Sequence, residues 1–420
     1  MLQKNQVLRY RKITSCRICS NANLVCVVDL GEQFLTGIFP GSNKEDLTAG
    51  PLRLVKCHGD EQRVCGLLQL EHSYDLEEMY GDNYGYRSGL NPSMVQHLKE
   101  KVNSILRQIS LSDGDIVVDI GCNDGTTLSF FPKNLKRIGI DPTAEKFINY
   151  ISQDIELITD FFSKDLFRAR YSGKAKVITS FSMFYDLEDP VDFAKQISEV
   201  LDEDGIWVFE QSYMPAMLEQ LAYDTICHEH LEFYGLRQVQ WLLEKAGLVA
   251  VDVELNDING GSFSVTAMHK NSAKAQPSNR VLDLLGKESL KKLDQLEPYQ
   301  EFEKKIQASR VELKSFVDDA IAQGKKVFGI GASTKGNVLL QYCQFSASDI
   351  PMIGDVNPDK FGACTPGTWI PIKSEKEVLD LNPDYLLVLP WHFRAFFMDS
   401  PAFKGRSLVF PLPKLEIIKR

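Results

Sequence analysis

The sequence predicts an α/β protein in three units: a small metal-binding N-terminal unit followed by two Rossmann-like units. Three observations carry this. Residues 10 to 88 are rich in cysteine and turn residues and contain only short apolar runs. From Asp115 to Val265, strand-like runs (IVVDIG, LKRIGID, KVITSFS, GIWVFEQ, VAVDVEL, SFSVTAM) alternate with helix-like segments, the pattern of a parallel sheet with crossover helices. A second alternation starts at KKVFGIG and runs through IPMIGDV, YLLVLPW and SLVFPLP. The expected boundaries are 10–88, 89–272 and 273–420. A polar linker, KNSAKAQPSNR, joins the last two units, and a long charged helix is expected over roughly Val281 to Gln323.

The bulk numbers fit this division. At 420 residues the chain exceeds one ordinary core, and 44% apolar with 25% charged residues is ordinary globular composition. A net charge of −10 argues against a nucleic-acid partner, because phosphate binding needs a basic face. No apolar run approaches the ~20 residues that span a bilayer, and the basic N-terminal stretch lacks the apolar core of a secretory signal. Nine cysteines spread over the chain fit reduced thiols in the cytoplasm rather than a disulfide framework.

In the N-terminal unit, Cys16 and Cys19 form a C-x2-C pair, and Cys57 and Cys65 follow about forty residues on. Thiolates on two short turns converge on one tetrahedral zinc. Seven residues separate the second pair, and His58 competes as a ligand. Four protein ligands would leave no open position, so the expected zinc is structural.

The first Rossmann turn is DIVVDIGCNDGTTLSFF. Gly121 and Gly125, with Asp119 before them and Asn123 between, fit G-x-x-x-G rather than the G-x-G-x-x-G of dinucleotide enzymes. Asp141 ends the next strand, twenty residues after Gly121, where an acid can hold two ribose hydroxyls. The loop has no P-loop lysine and needs no pyrophosphate, so S-adenosylmethionine suits it better than NAD. The second turn, VFGIGASTKGN, offers backbone amides, Ser333, Thr334 and Lys335 to an anionic group at a helix N-terminus. It too lacks the P-loop pattern.

Between two strands of the central unit lies TICHEHLEFYG, with His228, Glu229 and His230 in a row. At i and i+2 two side chains diverge on a helix, though on an extended segment they share a face and a metal stays possible. A histidine titrating near neutrality as general base is the other reading, and a structural histidine at the sheet edge is the third.

Taken in order, these signatures resemble a known family: the three-domain, zinc-containing, S-adenosylmethionine-dependent C-methyltransferases of nucleotide-linked 4-keto-6-deoxy sugars. The matching stretches are Cys16/Cys19 with Cys57/Cys65-Gly-Leu-Leu-Gln-Leu, Tyr84-Gly-Tyr86-Arg-Ser88, Asp119 to Gly125, Cys227-His-Glu-His230, Asn259-Gly-Gly-Ser262, Gly331 to Asn337, and Asp384 to Trp391. The resemblance covers nearly the whole chain. It implies a class I methyltransferase fold in the central unit and methylation at C3 of the sugar, beside the C4 ketone. His230 matches the family's proposed base, with Glu229 beside it; Tyr84, Tyr86 and Ser88 match residues that close over the sugar. The enolate oxygen would be stabilised by these hydroxyls or by His228. Cys227, Ser333, Thr334, Lys335, Asn337 and Trp391 are the further expected substrate contacts, and Asp119, Gly121, Asn123, Gly125 and Asp141 the cofactor contacts. The expected partner is a nucleotide-diphosphate sugar, with no membrane or nucleic acid, and the expected state a monomer.

Three positions depart from the family pattern. Cys227 stands where many members have tyrosine, Asp186 where a histidine is common, and the Cys57–Cys65 spacing is wide. Three other readings compete: transfer to oxygen or nitrogen of another metabolite, a two-lobed nicotinamide oxidoreductase using the Gly331 loop, and a zinc-ribbon scaffold.

Overall fold

The computed structural model describes residues 9–41, 47–60, 62–75, 78–79 and 87–420. In the N-terminal unit, β1 (Tyr10–Lys12), β2 (Leu24–Phe34), β3 (Ala49–Cys57), β4 (Leu68–Leu70) and β5 (His72–Tyr74) are all antiparallel to their neighbours in this unit. Two turns bring the cysteines together. Ser20 takes φ +59° to close the Cys16–Cys19 knuckle, its amide donating to Cys16 O. The wide Cys57–Cys65 spacing is absorbed by a tight turn at Asp60, whose carbonyl accepts from the Arg63 and Val64 amides.

The central unit begins with α1 (Pro92–Gln108), started by Pro92 and capped by Asn91, whose side chain accepts from Ser93 N. Then come β6 (Ile116–Ile120), α2 (Thr126–Ser129), β7 (Lys136–Ile140), β8 (Glu156–Ile158), α3 (Lys164–Arg170), β9 (Ala175–Phe181), α4 (Pro190–Val200) and β10 (Leu201–Ser212). The unit continues with β11 (Glu232–Phe233), α5 (Leu236–Lys245), β12 (Leu248–Asn256) and β13 (Ser262–His269). Seven of these strands form one sheet in the order β12-β13-β10-β9-β6-β7-β8. The parallel alternation read from the sequence holds for β6 to β10, but β13 runs antiparallel between β10 and β12. The three-residue β8 was too short to register as a strand-like run.

β11 belongs elsewhere. The segment between β10 and α5 leaves the central sheet and pairs β11 with β4, Glu232 opposite Gln69 and Phe233 opposite Leu68. The N-terminal sheet is therefore β11-β4-β3-β2, with its edge strand lent by the central unit.

The single helix expected over Val281 to Gln323 is two helices, α6 (Asn279–Leu290) and α7 (Glu297–Ala322). The break falls where Lys292 takes φ +52°, just before Pro298. α6 packs on β12 and α5 of the central unit. In the C-terminal unit, β14 (Val327–Ile330), α8 (Thr334–Tyr342), β15 (Ile353–Asp355), β16 (Ile372–Ser374), β17 (Tyr385–Val388), β18 (Ser407–Phe410) and β19 (Glu416–Lys419) follow. The sheet order is β16-β15-β14-β17-β18-β19, parallel except for the edge strand β19.

The units share cores. One apolar cluster joins β2 and β3 residues such as Val28 and Leu54 to Ile226 and Tyr223 of the central unit and to Phe328, Leu339 and Leu387 of the C-terminal unit. A second holds Cys16, Cys57 and Cys65 together with Ile178, Phe209 and Val239. No helix among the described residues is long and apolar enough to cross a membrane.

Candidate active site

Four sulfurs form the metal-binding group: Cys16, Cys19, Cys57 and Cys65 offer Sγ atoms all within 4.8 Å of one another. Cys16–Cys65 and Cys19–Cys57 lie 3.5 Å apart. Zinc–sulfur bonds of ~2.3 Å put sulfurs ~3.8 Å apart in a tetrahedron, so the cradle fits the ion. His58 is not part of it, nor are His228, Glu229 or His230; among the described residues these four cysteines are the one such group.

The glycine loop after β6 is shaped for a ligand at a strand end. Gly121 and Gly125 take φ +74° and +75°, conformations open to glycine at little cost, and a Cβ on Gly121 would come within 3.0 Å of Met183 Cγ. Asp141 Oδ2 accepts from Asn123 N at 2.8 Å, and its Oδ1 accepts from the amide and hydroxyl of Thr143 at 2.7 Å. Asp119 accepts from Thr179 Oγ1 at 2.6 Å, and burial pushes its carboxyl up to about 7. The chain at 88–89 docks on this loop: Ser88 N donates to Asn123 Oδ1 at 3.0 Å and Gly89 N to Asp124 Oδ2 at 2.8 Å. Ser88 therefore stands at the cofactor loop, while Tyr84 and Tyr86 lie outside the described residues.

From this loop a short path leads to the histidines. Met183, against Gly121, is followed by Tyr185, whose ring meets the His230 ring edge-on at 4.4 Å. His230 Nδ1 sits 2.9 Å from Thr225 O. A carbonyl only accepts, so Nδ1 carries the proton and Nε2 is left with its lone pair. Burial, with help from the Lys335 charge, holds the imidazole down at about 4, so it is neutral at physiological pH and does not titrate near neutrality as its sequence context suggested.

Its neighbours differ. His228 is fully buried, its ring edge-on to Tyr74 at 4.6 Å and its Nδ1 3.5 Å from Thr36 Oγ1. Burial lowers it further, to about 3. Glu229 Oε2 accepts from Thr36 Oγ1 at 3.5 Å, and the carboxylate lies so close over Gly37 that any Cβ there would collide with Oε1. Burial raises the Glu229 carboxyl above its ordinary value. Cys227 is buried behind it.

The C-terminal unit closes the junction. Lys335 Nζ donates to Asn259 O of the central unit at 2.7 Å. Asn337 Nδ2 donates to Thr36 O at 2.8 Å, and Trp391 Nε1 donates to Asp224 Oδ2 at 2.8 Å. Asn337 and Trp391 each give one donor to these contacts, Asn337 Oδ1 meets no hydrogen-bond partner among the described residues, Cys227 is buried, and Ser333, Thr334 and Lys335 are half-buried at the start of α8. Ser333 Oγ caps α8 by accepting from Gly336 N. Thr36, Gly37, Tyr185 and Asp224 carried no motif, so sequence reasoning passed over them.

Family models divide the chain among a "Putative zinc binding domain" over residues 16–80, a "Methyltransferase domain" over 94–253 and a "C-methyltransferase C-terminal domain" over 257–413. The C-methyltransferase NovU of Streptomyces niveus is 30% identical over 418 residues, 97% of each chain. A tRNA U34 carboxymethyltransferase of Campylobacter lari is 30% identical over 125 residues, 27% of this chain and 42% of that one. Among solved structures, an S-adenosylmethionine-dependent methyltransferase from Clostridium acetobutylicum superposes with a TM-score of 0.34 at 14% identity, covering 41% of this chain and 91% of that one.

Proposed function

The chain belongs to the zinc-containing, S-adenosylmethionine-dependent C-methyltransferases, and from that premise we propose that it methylates C3 of a nucleotide-linked 4-keto-6-deoxyhexose, with His230 as the base. The observation that carries this reading is the tautomer of His230: Nδ1 is tied to Thr225 O, so the neutral ring keeps its lone pair on Nε2, and Tyr185, two residues after the Met183 that faces Gly121, packs on the ring. Methyl transfer to carbon needs such a group, because a C–H next to a ketone must first be ionised; transfer to oxygen or nitrogen removes no carbon-bound proton, which is what the exchange experiment reads.

The remaining roles follow from the resemblance to that family. When bound, S-adenosylmethionine supplies an electrophilic sulfonium methyl. Gly121 and Gly125 would let the backbone approach it, and Asp141 would hold its ribose hydroxyls. His230 Nε2 takes the C3 proton. Glu229, pinned by Thr36 over Gly37, braces the segment that carries the base. Ser333, Thr334 and Lys335 would hold the substrate diphosphate at the N-terminus of α8. Lys335 also lends positive charge to the region where the enolate oxygen develops, its field being felt at His230. Ser88, with Tyr84 and Tyr86, would close over the sugar.

Incubation with isotopically labelled S-adenosylmethionine and a panel of nucleotide 4-keto-6-deoxyhexoses should place the label on carbon. Without cofactor, the enzyme in D2O should exchange the C3 proton. Label on oxygen or nitrogen, or no exchange with any sugar, would overturn the proposal.

A further inference from the structure

His230 is two residues from a strand that is part of the zinc-binding sheet. β11 pairs with β4, Leu70 N donates to Leu231 O at 2.8 Å, and Leu231 N donates to Tyr185 O at 2.8 Å. A charge link runs beside this pairing. Arg17, inside the Cys16–Cys19 knuckle, is 3% exposed in its side chain. Its guanidinium donates to Leu70 O and Ser73 Oγ, both at 2.9 Å, and to Gln69 Oε1 at 3.3 Å. Its Nε lies 3.6 Å from Oε1 of the buried Glu232 and 3.9 Å from Glu188 Oε2. Neither Glu232 oxygen makes a hydrogen bond among the described residues; burial pushes its carboxyl well up, and Arg17 is the charge beside it that opposes this. On the other side, Gln238 Nε2 donates to the carbonyls of Cys65 and Gly66.

We propose that the zinc knuckle sets the position of the catalytic histidine, with Arg17 and Glu232 as positioning residues that fix β11 and hence His230. The metal-binding unit is then part of the active-site scaffold as well as a fold staple. A base displaced by ~1 Å loses up to ~100-fold in rate without losing ligand affinity, and that separation distinguishes positioning from simple stability. The catalytic consequence rests on the assignment of His230 above; the geometric link does not.

The test uses the full-length, zinc-loaded protein with Arg17→Gln, Arg17→Lys and Glu232→Leu. Arg17→Gln and Glu232→Leu should keep zinc and S-adenosylmethionine affinity, slow C3 proton exchange about tenfold to a hundredfold at little-changed KM, and shift the ¹⁵N signals of His230. Arg17→Lys should recover part of the rate. Wild-type exchange and unshifted His230 signals in both variants would overturn the proposal. If Arg17→Gln loses zinc, Glu232→Leu decides, since Glu232 lies outside the knuckle: unchanged His230 signals there sink the idea. A wild-type enzyme that exchanges no sugar would refute the substrate reading instead, and the His230 signals would still decide this one.

Discussion

At the scale of single residues, the proposed chemistry rests on one hydrogen bond. His230 donates Nδ1–H to Thr225 O, and a dry surround keeps the ring neutral, with its pKa held down at about 4. Replacing it with alanine should abolish C3 exchange while leaving S-adenosylmethionine binding, read by calorimetry, near wild type. Its ionisation also predicts the acid limb of the rate: activity should persist well below pH 6.5 and fall only as the base protonates near pH 4. Stability has a related dependence. In the unfolded chain the histidines titrate near 6.5, whereas His230 and His228 are held at about 4 and about 3 in the fold. Below pH 6.5 the unfolded state therefore binds protons that the folded state refuses. Their contribution is complete above that pH and is lost progressively as pH falls towards 4 and 3. Asp119 and Asp224, held up at about 7 and about 6, contribute with the opposite sign over the same range, so the test is a difference: from pH 7.5 to 4.5 the denaturant midpoint of His228→Gln should lose less than that of the wild type. Which of the two histidines would face packing was not legible in CHEH, because one residue of spacing says nothing about the wall each ring meets.

Among elements, sequence periodicity foretold most of the framework. The buried strands β6, β7, β9 and β10 read as near-continuous apolar runs because both faces are covered by helices. What escaped were three-residue strands such as β8 and β16, the reversal of β13, and the transfer of β11 to another sheet. All three depend on long-range pairing, which leaves no mark in local composition. The cysteine spacings pointed to the metal cradle because a chelate imposes its own geometry on sequence. Gly37 shows the opposite case: nothing in LTGIF announces that Glu229 of another unit lies over its α-carbon. Gly37→Ala should force that carboxylate aside, costing about 1–3 kcal/mol of stability by overpacking. Turnover should fall with it, whereas Gly41→Ala, where no described residue stands within 4 Å, should leave both unchanged. Cys16→Ser should release zinc, read by metal analysis, and lower the melting temperature, because metal binding energy in such a unit is folding energy. Undiminished metal content would refute the four-thiolate assignment.

Over the whole molecule, the active site is a junction rather than a pocket in one domain. Thr36 and Gly37 come from the N-terminal unit, Asp224 to His230 from the central unit, and Lys335, Asn337 and Trp391 from the C-terminal unit. The segment that carries the proposed base sits where all three units meet, and one apolar core is continuous across them. The Trp391–Asp224 bond is the most telling of these contacts, because it joins two units through groups that have left water. Asp224 is fully buried, burial pushes its carboxyl up to about 6, and its Oδ1 meets no side-chain donor among the described residues. Trp391→Phe keeps most of the apolar contact but removes the donor to Oδ2, so a buried carboxyl loses its side-chain hydrogen bond. That should cost about 1–3 kcal/mol. If the bond also holds the C-terminal unit against the base-bearing segment, the loss should surface first as faster amide exchange in Tyr223–His230 and in α8, ahead of the outer strands β7 and β8. Adding Asp224→Leu should recover part of the stability by removing the stranded carboxyl, since deleting both partners of a buried bond is cheaper than deleting one. It should not recover turnover, because nothing then ties Trp391 to the segment that ends in His230. A double variant as active as wild type would show that docking of the two units is set by apolar packing alone.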